Sequence, residues 1–211
     1  MTPGERLRQA IESESPLQCV GVINACFARF AEAAGFKSLY LSGGGVAAAS
    51  CGAPDLGITT MQDVLVDLNR ITDVTDLPVL VDIDTGWGGA FSIARAVNAM
   101  NKAGAAGVHI EDQGQQKRCG QRPNKVIVSQ AEMVDRIRAA VDARRDDGFV
   151  IMARTDANAT DGMDEAVLRA QTFAEIGADI TFLEAPTSED EMRRYCSQVP
   201  GHKMANMVEG G

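Results

Sequence analysis

Val81-Asp82-Ile83-Asp84-Thr85-Gly86 sets two carboxylates two residues apart, so that on one strand both side chains point to the same side. Two carboxylates in one small volume repel unless a cation or a shared proton lies between them, and hard oxygen ligands suit Mg²⁺ or Mn²⁺. Glu111, next to Asp112 at the end of the following apolar run, adds a third acid. The same pair also reads as one helix-capping Asp and one loop Asp. Lys117-Arg118-Cys119-Gly120-Gln121-Arg122 then places one cysteine among three cations beside a flexible glycine. Nearby positive charge favours a thiolate, so Cys119 reads as a proton donor and acceptor; an exposed structural thiol fits the spacing equally well. Ser42-Gly43-Gly44-Gly45 ends another apolar run, and glycines there let backbone N–H groups approach an anionic ligand. It lacks both G-x-G-x-x-G spacing and a P-loop lysine, which excludes a nucleotide site on this motif. His109, inside Val108-His109-Ile110, reads as a satisfied core histidine, and His202 sits in a turn.

These residues must be carried by a repeating scaffold. Seven strand-like runs are expected at Cys19–Ala25, Ser38–Ser42, Val79–Asp84, Gly107–Glu111, Phe149–Asp156, Asp179–Ala185 and Lys203–Glu209. Helical spacing of apolar residues falls between them, at Phe27–Ala34, Met61–Ile71, Phe91–Lys102, Gln130–Asp142, Asp164–Ile176 and Ser188–Ser197, with an N-terminal helix over about 3–14. Small turns with Gly35, Gly104, Gly177 and Gly201 follow four of the helices, where a helix C-terminus needs positive φ. At the opposite strand ends gather Asp82, Asp84, Glu111, Arg154, Asp156, Glu184, Asn206 and Glu209. Acidic and amide groups at strand after strand, as exposed rim residues, fit a (β/α)₈ TIM-type barrel better than a doubly wound sheet, whose ligand groups collect at one crevice. That fold takes about 250 residues, so this reading expects an eighth strand and its helices past Gly211, with residues 1–211 forming one domain cut after the seventh strand.

Composition removes other classes of function. A formal charge of −9 leaves no basic surface for nucleic acid. No run approaches the roughly 20 apolar residues of a membrane span, and the first 17 residues carry charges where a signal core would lie, so a cytoplasmic protein is expected. Five scattered cysteines without C-x-x-C spacing fit neither a disulfide framework nor a zinc site. An anionic small molecule remains compatible, because a bound cation with local arginines reverses the sign of a pocket.

In order along the chain, Tyr40-Leu41-Ser42-Gly43-Gly44-Gly45, Pro54-Asp55-Leu56-Gly57, Val81–Gly86, Ile110-Glu111-Asp112-Gln113, Lys117-Arg118-Cys119-Gly120, Ala153-Arg154-Thr155-Asp156 and Glu184-Ala185 resemble the phosphoenolpyruvate mutase/isocitrate lyase superfamily. The Cys119 loop, Arg122-Pro123-Asn124-Lys125 after it and the compact spacing resemble its 2-methylisocitrate lyase family most. The resemblance implies retro-aldol cleavage of a 2-hydroxy tricarboxylate to pyruvate and succinate, with Mg²⁺ (or Mn²⁺) at the α-hydroxy-carboxylate end. It implies that Asp84 binds the metal directly or through water, with Asp82 and Glu111 holding the water shell. Ser42, Gly43 and Gly44 hold the substrate carboxylate and Asp55 closes near it. Arg154 pairs with the pyruvate-forming half, Cys119 is the acid, and Tyr40 assists near the α-oxygen. Lys117, Gly120, Gln121, Glu184 and Asn206 contact substrate, and the protein assembles as a homotetramer. Gln121 departs from the histidine usual in that family, and an amide neither carries charge nor shuttles a proton. Related lyases acting on 2,3-dimethylmalate or isocitrate, and a non-catalytic barrel kept for binding or assembly, are the rival readings.

Overall fold

Strands buried on both faces must be apolar on both faces, and the runs found in the sequence meet that demand. The computed structural model describes residues 1–207. Its strands β1 (Cys19–Gly21), β2 (Ser38–Leu41), β3 (Val79–Asp82), β4 (Gly107–Glu111), β5 (Val150–Thr155), β6 (Ile180–Leu183) and β7 (His202–Met204) form one seven-stranded sheet in chain order. Every neighbouring pair is parallel. The helices are α1 (Pro3–Ser13), α2 (Ala25–Ala33), α3 (Gly43–Gly45) running into a π-helical turn (Val46–Ser50), α4 (Met61–Thr72), α5 (Ala90–Lys102), α6 (Gln130–Asp142), α7 (Ala157–Thr160), α8 (Met163–Glu175) and α9 (Glu189–Gln198).

Alternation along the strands separates two cores. Leu39, Val81, Ile110 and Ile151 point outward and pack with Leu68, Val97, Ile137 and Phe173 of the helices. Each fully buried side chain of this kind contributes about 1.5–3 kcal/mol. Leu80, Val150, Met152, Ile180 and Phe182 point inward, with Cys19, Tyr40 and Met204 against them. Inner residues of the first and last strands therefore share one cluster, and the sheet is curled. Leu7 and Ile11 of α1 join that cluster and close its lower end. There Arg8 Nε donates to Gly148 O at 2.9 Å and Nη2 to Asp179 Oδ1 at 2.7 Å. Gly4 lies so close that a Cβ on it would stand 2.3 Å from Gly148 O.

Local signals act as the sequence implies. Thr60 and Asp63 form a reciprocal capping box on α4, and Ser188 Oγ accepts from Glu191 N at the start of α9. Gly35, Gly104, Gly177 and Gly201 all adopt positive φ, between 75° and 104°. The strands are shorter than expected at their upper ends, because the chain leaves the sheet to build the rim. Asp84, Asp156 and Glu184 lie just past β3, β5 and β6, and Val208 and Glu209 of the expected seventh run lie outside the described residues. The short helices α3 and α7 and the π-helical turn had no periodicity to reveal them. Among the described residues no helix is long and apolar enough to cross a membrane.

Candidate active site

The interior positions of adjacent strands end in charge. On β3, Asp82 accepts from Asp84 N at 3.0 Å and from Gly43 N at 3.1 Å. Asp84 does not continue the strand: it turns with φ 50°, a left-handed conformation that Asp tolerates, and is buried at 4% exposure where an exposed rim acid was expected. Its carboxylate still reaches the cradle of Asp82, because Gly43 has no side chain. A Cβ there would lie 2.8 Å from Asp84 Oδ1 and 3.3 Å from Asp82 Oδ2. The Gly43 amide is thus already engaged by Asp82 and is not free for a ligand.

One strand on, His109 Nδ1 shares a 2.8 Å hydrogen bond with the Tyr40 hydroxyl and stands 3.4 Å from Asp82 Oδ1. Burial drives the ring down to about 4, so it is neutral, and burial drives the Tyr40 hydroxyl up, reinforced by Asp82. Burial opposes ionisation of Asp82 too. Lys117 and the Asp84 N–H nevertheless hold it below its usual value, and with His109 neutral these are the effective partners.

Glu111 and Arg154 face each other across β4 and β5, which pair them in register. Arg154 rests on the Phe182 ring, 5.4 Å from its centroid. Its Nε and Nη2 donate to Asp156 at 2.9 and 3.0 Å, and Nη1 stands 3.3 Å from Glu111 and 3.4 Å from Glu184. The surrounding acids keep the guanidinium charged against its burial, and Arg154 with Lys125 keeps Asp156 ionised. Over this cluster lies the Cys119 turn. Gly120 is pressed onto it, since a Cβ would come 2.2 Å from Glu184 Oε1 and 2.5 Å from Arg154 Nη2. Gln121 Nε2 donates to Glu184 Oε1 at 2.9 Å.

Lys117 is where the structure departs most from the reading of the loop. Its buried ammonium turns away into the acids, 2.5 Å from Asp84 Oδ1 and 2.7 Å from Asp55 Oδ1, and Arg118 and Arg122 are exposed. The three cations that flank Cys119 in sequence do not surround it together. The Asp55 segment is seated by Trp87 Nε1, which donates to Thr59 O at 3.0 Å, and it packs on the Cys119 loop. A Cβ on Gly57 would lie 2.9 Å from Gln115 O.

The donor set fits a hard divalent cation. Burial raises Glu111 well above the usual carboxylate range, and burial with repulsion from Asp82 raises Asp84 to about 6 even beside Lys117, the mark of a site where negative charge is in excess. Among the described residues neither Glu111 oxygen has a hydrogen-bond partner, although both are buried. Among the described residues no three His, Cys, Asp or Glu side chains converge tightly enough to hold an ion by themselves. Such a cation would therefore keep water or ligand oxygens in much of its shell, the habit of Mg²⁺.

Tyr40, Ser42, Gly43, Gly44, Asp55, Asp82, Asp84, Glu111, Lys117, Gly120, Gln121, Arg154 and Glu184 are joined by these contacts, or lie in the segments that make them. Cys119, half-buried, sits in the turn above. Asn206 is exposed beyond β7, apart from the contacts above. Sequence reasoning missed the layer behind. Asp112 points outward from β4, accepting from Thr155 Oγ1, Asp156 N and Arg169 Nη1. Strand alternation from Glu111 could have shown that direction. Lys125, bonded to Gly120 O and Asp156, gave no such signal.

A family model described as phosphoenolpyruvate phosphomutase matches residues 7–210. A protein named 2-methylisocitrate lyase from Shewanella oneidensis is 58% identical over 99% of this chain, which spans 71% of that relative's length. A solved 2,3-dimethylmalate lyase, described as a member of the PEP mutase/isocitrate lyase superfamily, superposes over all of this chain and 72% of its own with a TM-score of 0.92 at 39% identity. A phosphonopyruvate hydrolase solved as a complex with oxalate and Mg²⁺ superposes over 96% of this chain and 70% of its own with a TM-score of 0.82 at 32% identity.

Proposed function

This chain belongs to the phosphoenolpyruvate mutase/isocitrate lyase superfamily, and we propose that it is a magnesium-dependent carbon–carbon lyase cleaving 2-methylisocitrate to pyruvate and succinate. The observation that carries the reading is Gly120. Its close approach to Arg154 and Glu184 brings the Cys119–Gly120 turn onto a buried guanidinium and a cluster of acids.

Asp84 would hold the metal, with Asp82 and Glu111 bonding to its water shell. When bound, Mg²⁺ supplies a positive charge beside the α-oxygen, where negative charge develops. The chain's own groups do the rest. Arg154, held flat by Asp156 and Phe182, meets a carboxylate of the substrate with an orientation set before binding. Ser42, Gly43 and Gly44 line the opposite carboxylate, and Asp55 and Lys117 cover it. The C–C bond breaks with its electron pair going to the succinate-forming carbon, while the α-hydroxyl passes its proton to the Tyr40 oxygen, whose own proton moves to neutral His109 Nδ1, and the ketone of pyruvate forms. Cys119 delivers a proton to that carbon, and Tyr40, tied to neutral His109, faces the α-oxygen. Gln121, through Glu184, shapes the end that receives the remaining carboxylate.

Release of pyruvate from 2-methylisocitrate, measured with Mg²⁺ and again after chelation, tests the proposal. Turnover that needs Mg²⁺ supports it, and no pyruvate in the presence of Mg²⁺ defeats it. Run in parallel, 2,3-dimethylmalate is expected to be the poorer substrate, in line with 58% identity to the one lyase and 39% to the other.

A further inference from the structure

Lys125 has no part in the chemistry above, yet its ammonium is buried, 2.6 Å from Asp156 Oδ1 and 2.7 Å from Gly120 O. Taking a charge out of water is costly unless it is well paired, so a buried lysine with two acceptors fixes both of them. One acceptor is the carboxylate that grips Arg154 through Nε and Nη2. The other is the carbonyl of the residue next to Cys119. Between them Gln121, Arg122, Pro123 and Asn124 are exposed, and Asn124 takes φ 61° to bring the chain back inward. Lys117 anchors the start of the loop on Asp84 and Asp55, and the ties of the turn itself are weaker in kind: Gln121 to Glu184, the Gln113 side chain to the Arg118 backbone, and Arg122 N to Cys119 O.

We propose that Lys125 is a positioning residue for the lyase reaction, clamping the Cys119–Gly120 turn onto the Asp156–Arg154 pair so that thiol and guanidinium face one substrate in a fixed relation. The inference rests on the roles given to Cys119 and Arg154 above. Lys125 itself touches no reacting atom. Its amine couples two groups that lie on different elements, the loop after β4 and the end of β5.

Lys125→Met keeps the stem and removes the charge, and Lys125→Arg restores a cation. With the Mg²⁺-loaded enzyme, kcat and KM are measured together with amide hydrogen exchange over residues 117–124. In Lys125→Met, kcat is expected to fall on the order of 10- to 100-fold, the scale of a misplaced catalytic group, with KM changed far less. Exchange should rise in that segment alone, and Lys125→Arg should recover part of both effects. Unchanged kcat with unchanged exchange overturns the proposal, and so does a loss of protection spread evenly over the protein. Should Lys125→Met not fold, amine acetylation of the wild-type protein decides. Lys125 should label far more slowly than exposed Lys37 and Lys102, in step with opening of the Cys119 turn, and equal labelling overturns the clamp. Absence of pyruvate release by the wild type would sink the proposed function, whereas the exchange and labelling results bear on the clamp alone.

Discussion

Lys117 Nζ lies 2.5 Å from Asp84 Oδ1, and both side chains are almost wholly buried. A lysine from the loop after β4 thus reaches back to the carboxylate after β3, and the same ammonium holds Asp55 from a third loop. Three separate segments are tied at one charge.

Asp84→Asn should abolish Mg²⁺-dependent pyruvate release and lower the melting temperature, since buried Lys117 loses one of its two carboxylate partners. The loss is partial, because the amide preserves shape, Asp55 still pairs with the ammonium, and crowding with Asp82 is relieved. Calorimetric titration with Mg²⁺ checks the cause, and wild-type affinity in the variant would remove Asp84 from the metal site.

Cys119→Ser should lower kcat by about a hundredfold or more, the scale for losing a positioned acid, with KM little changed. Turnover close to wild type would mean that another group delivers the proton.

Gln121→Glu should raise KM, because it sets a second carboxylate against Glu184 Oε1, which now accepts the Gln121 amide at 2.9 Å. Steady-state kinetics read this directly; a KM at or below the wild-type value would show that the amide contact has no bearing on substrate.

Cysteine reactivity should follow burial. Burial pushes the Cys19 thiol up to about 11, whereas Cys26, Cys51 and Cys196 are exposed. At pH 8 an alkylating reagent should modify those three first and half-buried Cys19 more slowly, as mapped by peptide mass spectrometry. Early labelling of Cys19 would contradict its place inside the sheet.

The Thr60 backbone N–H and hydroxyl hold Asp63 below its usual value. A carboxylate depressed in the folded state stabilises above its unfolded pKa of about 3.9, and that gain is lost as pH falls through the lower folded value. Asp63→Asn should therefore cost at most about 0.5 kcal/mol at pH 7, small because the exposed contact is screened by solvent, with the difference fading below about pH 3. Urea melts at both pH values measure it, and a pH-independent difference would rule the capping charge out.

The scaffold was legible because its signals are local and periodic. The recurring apolar runs placed Asp82, Glu111, Arg154 and Glu184 at strand ends on one rim, and single glycines marked the turns beneath. The rim was less so, since it is made where periodicity stops. Asp84 departs from the strand in a left-handed turn, Lys117 swings from the thiol to distant acids, and Lys125 meets Gly120 O after a loop that doubles back. Such contacts are set by where a non-repetitive chain returns in space, which residue spacing alone does not encode.

The docking of α1 under the sheet also sets an order of events. Gly4 and Arg8 abut Gly148, and Leu7 and Ile11 share their cluster with Ile180 and Phe182. The two Arg8 bonds join residues 140 positions apart (Arg8 to Gly148) and 171 positions apart (Arg8 to Asp179), and non-local pairing of this kind slows folding. At about 5–20 residues per second of synthesis, the helix waits for roughly 7–35 s before β5 and β6 exist to receive it. Its apolar stripe is exposed to other chains and to chaperones for that interval, so truncating Leu7 to alanine should depress the yield of folded protein during translation more than it depresses the stability of what has already folded.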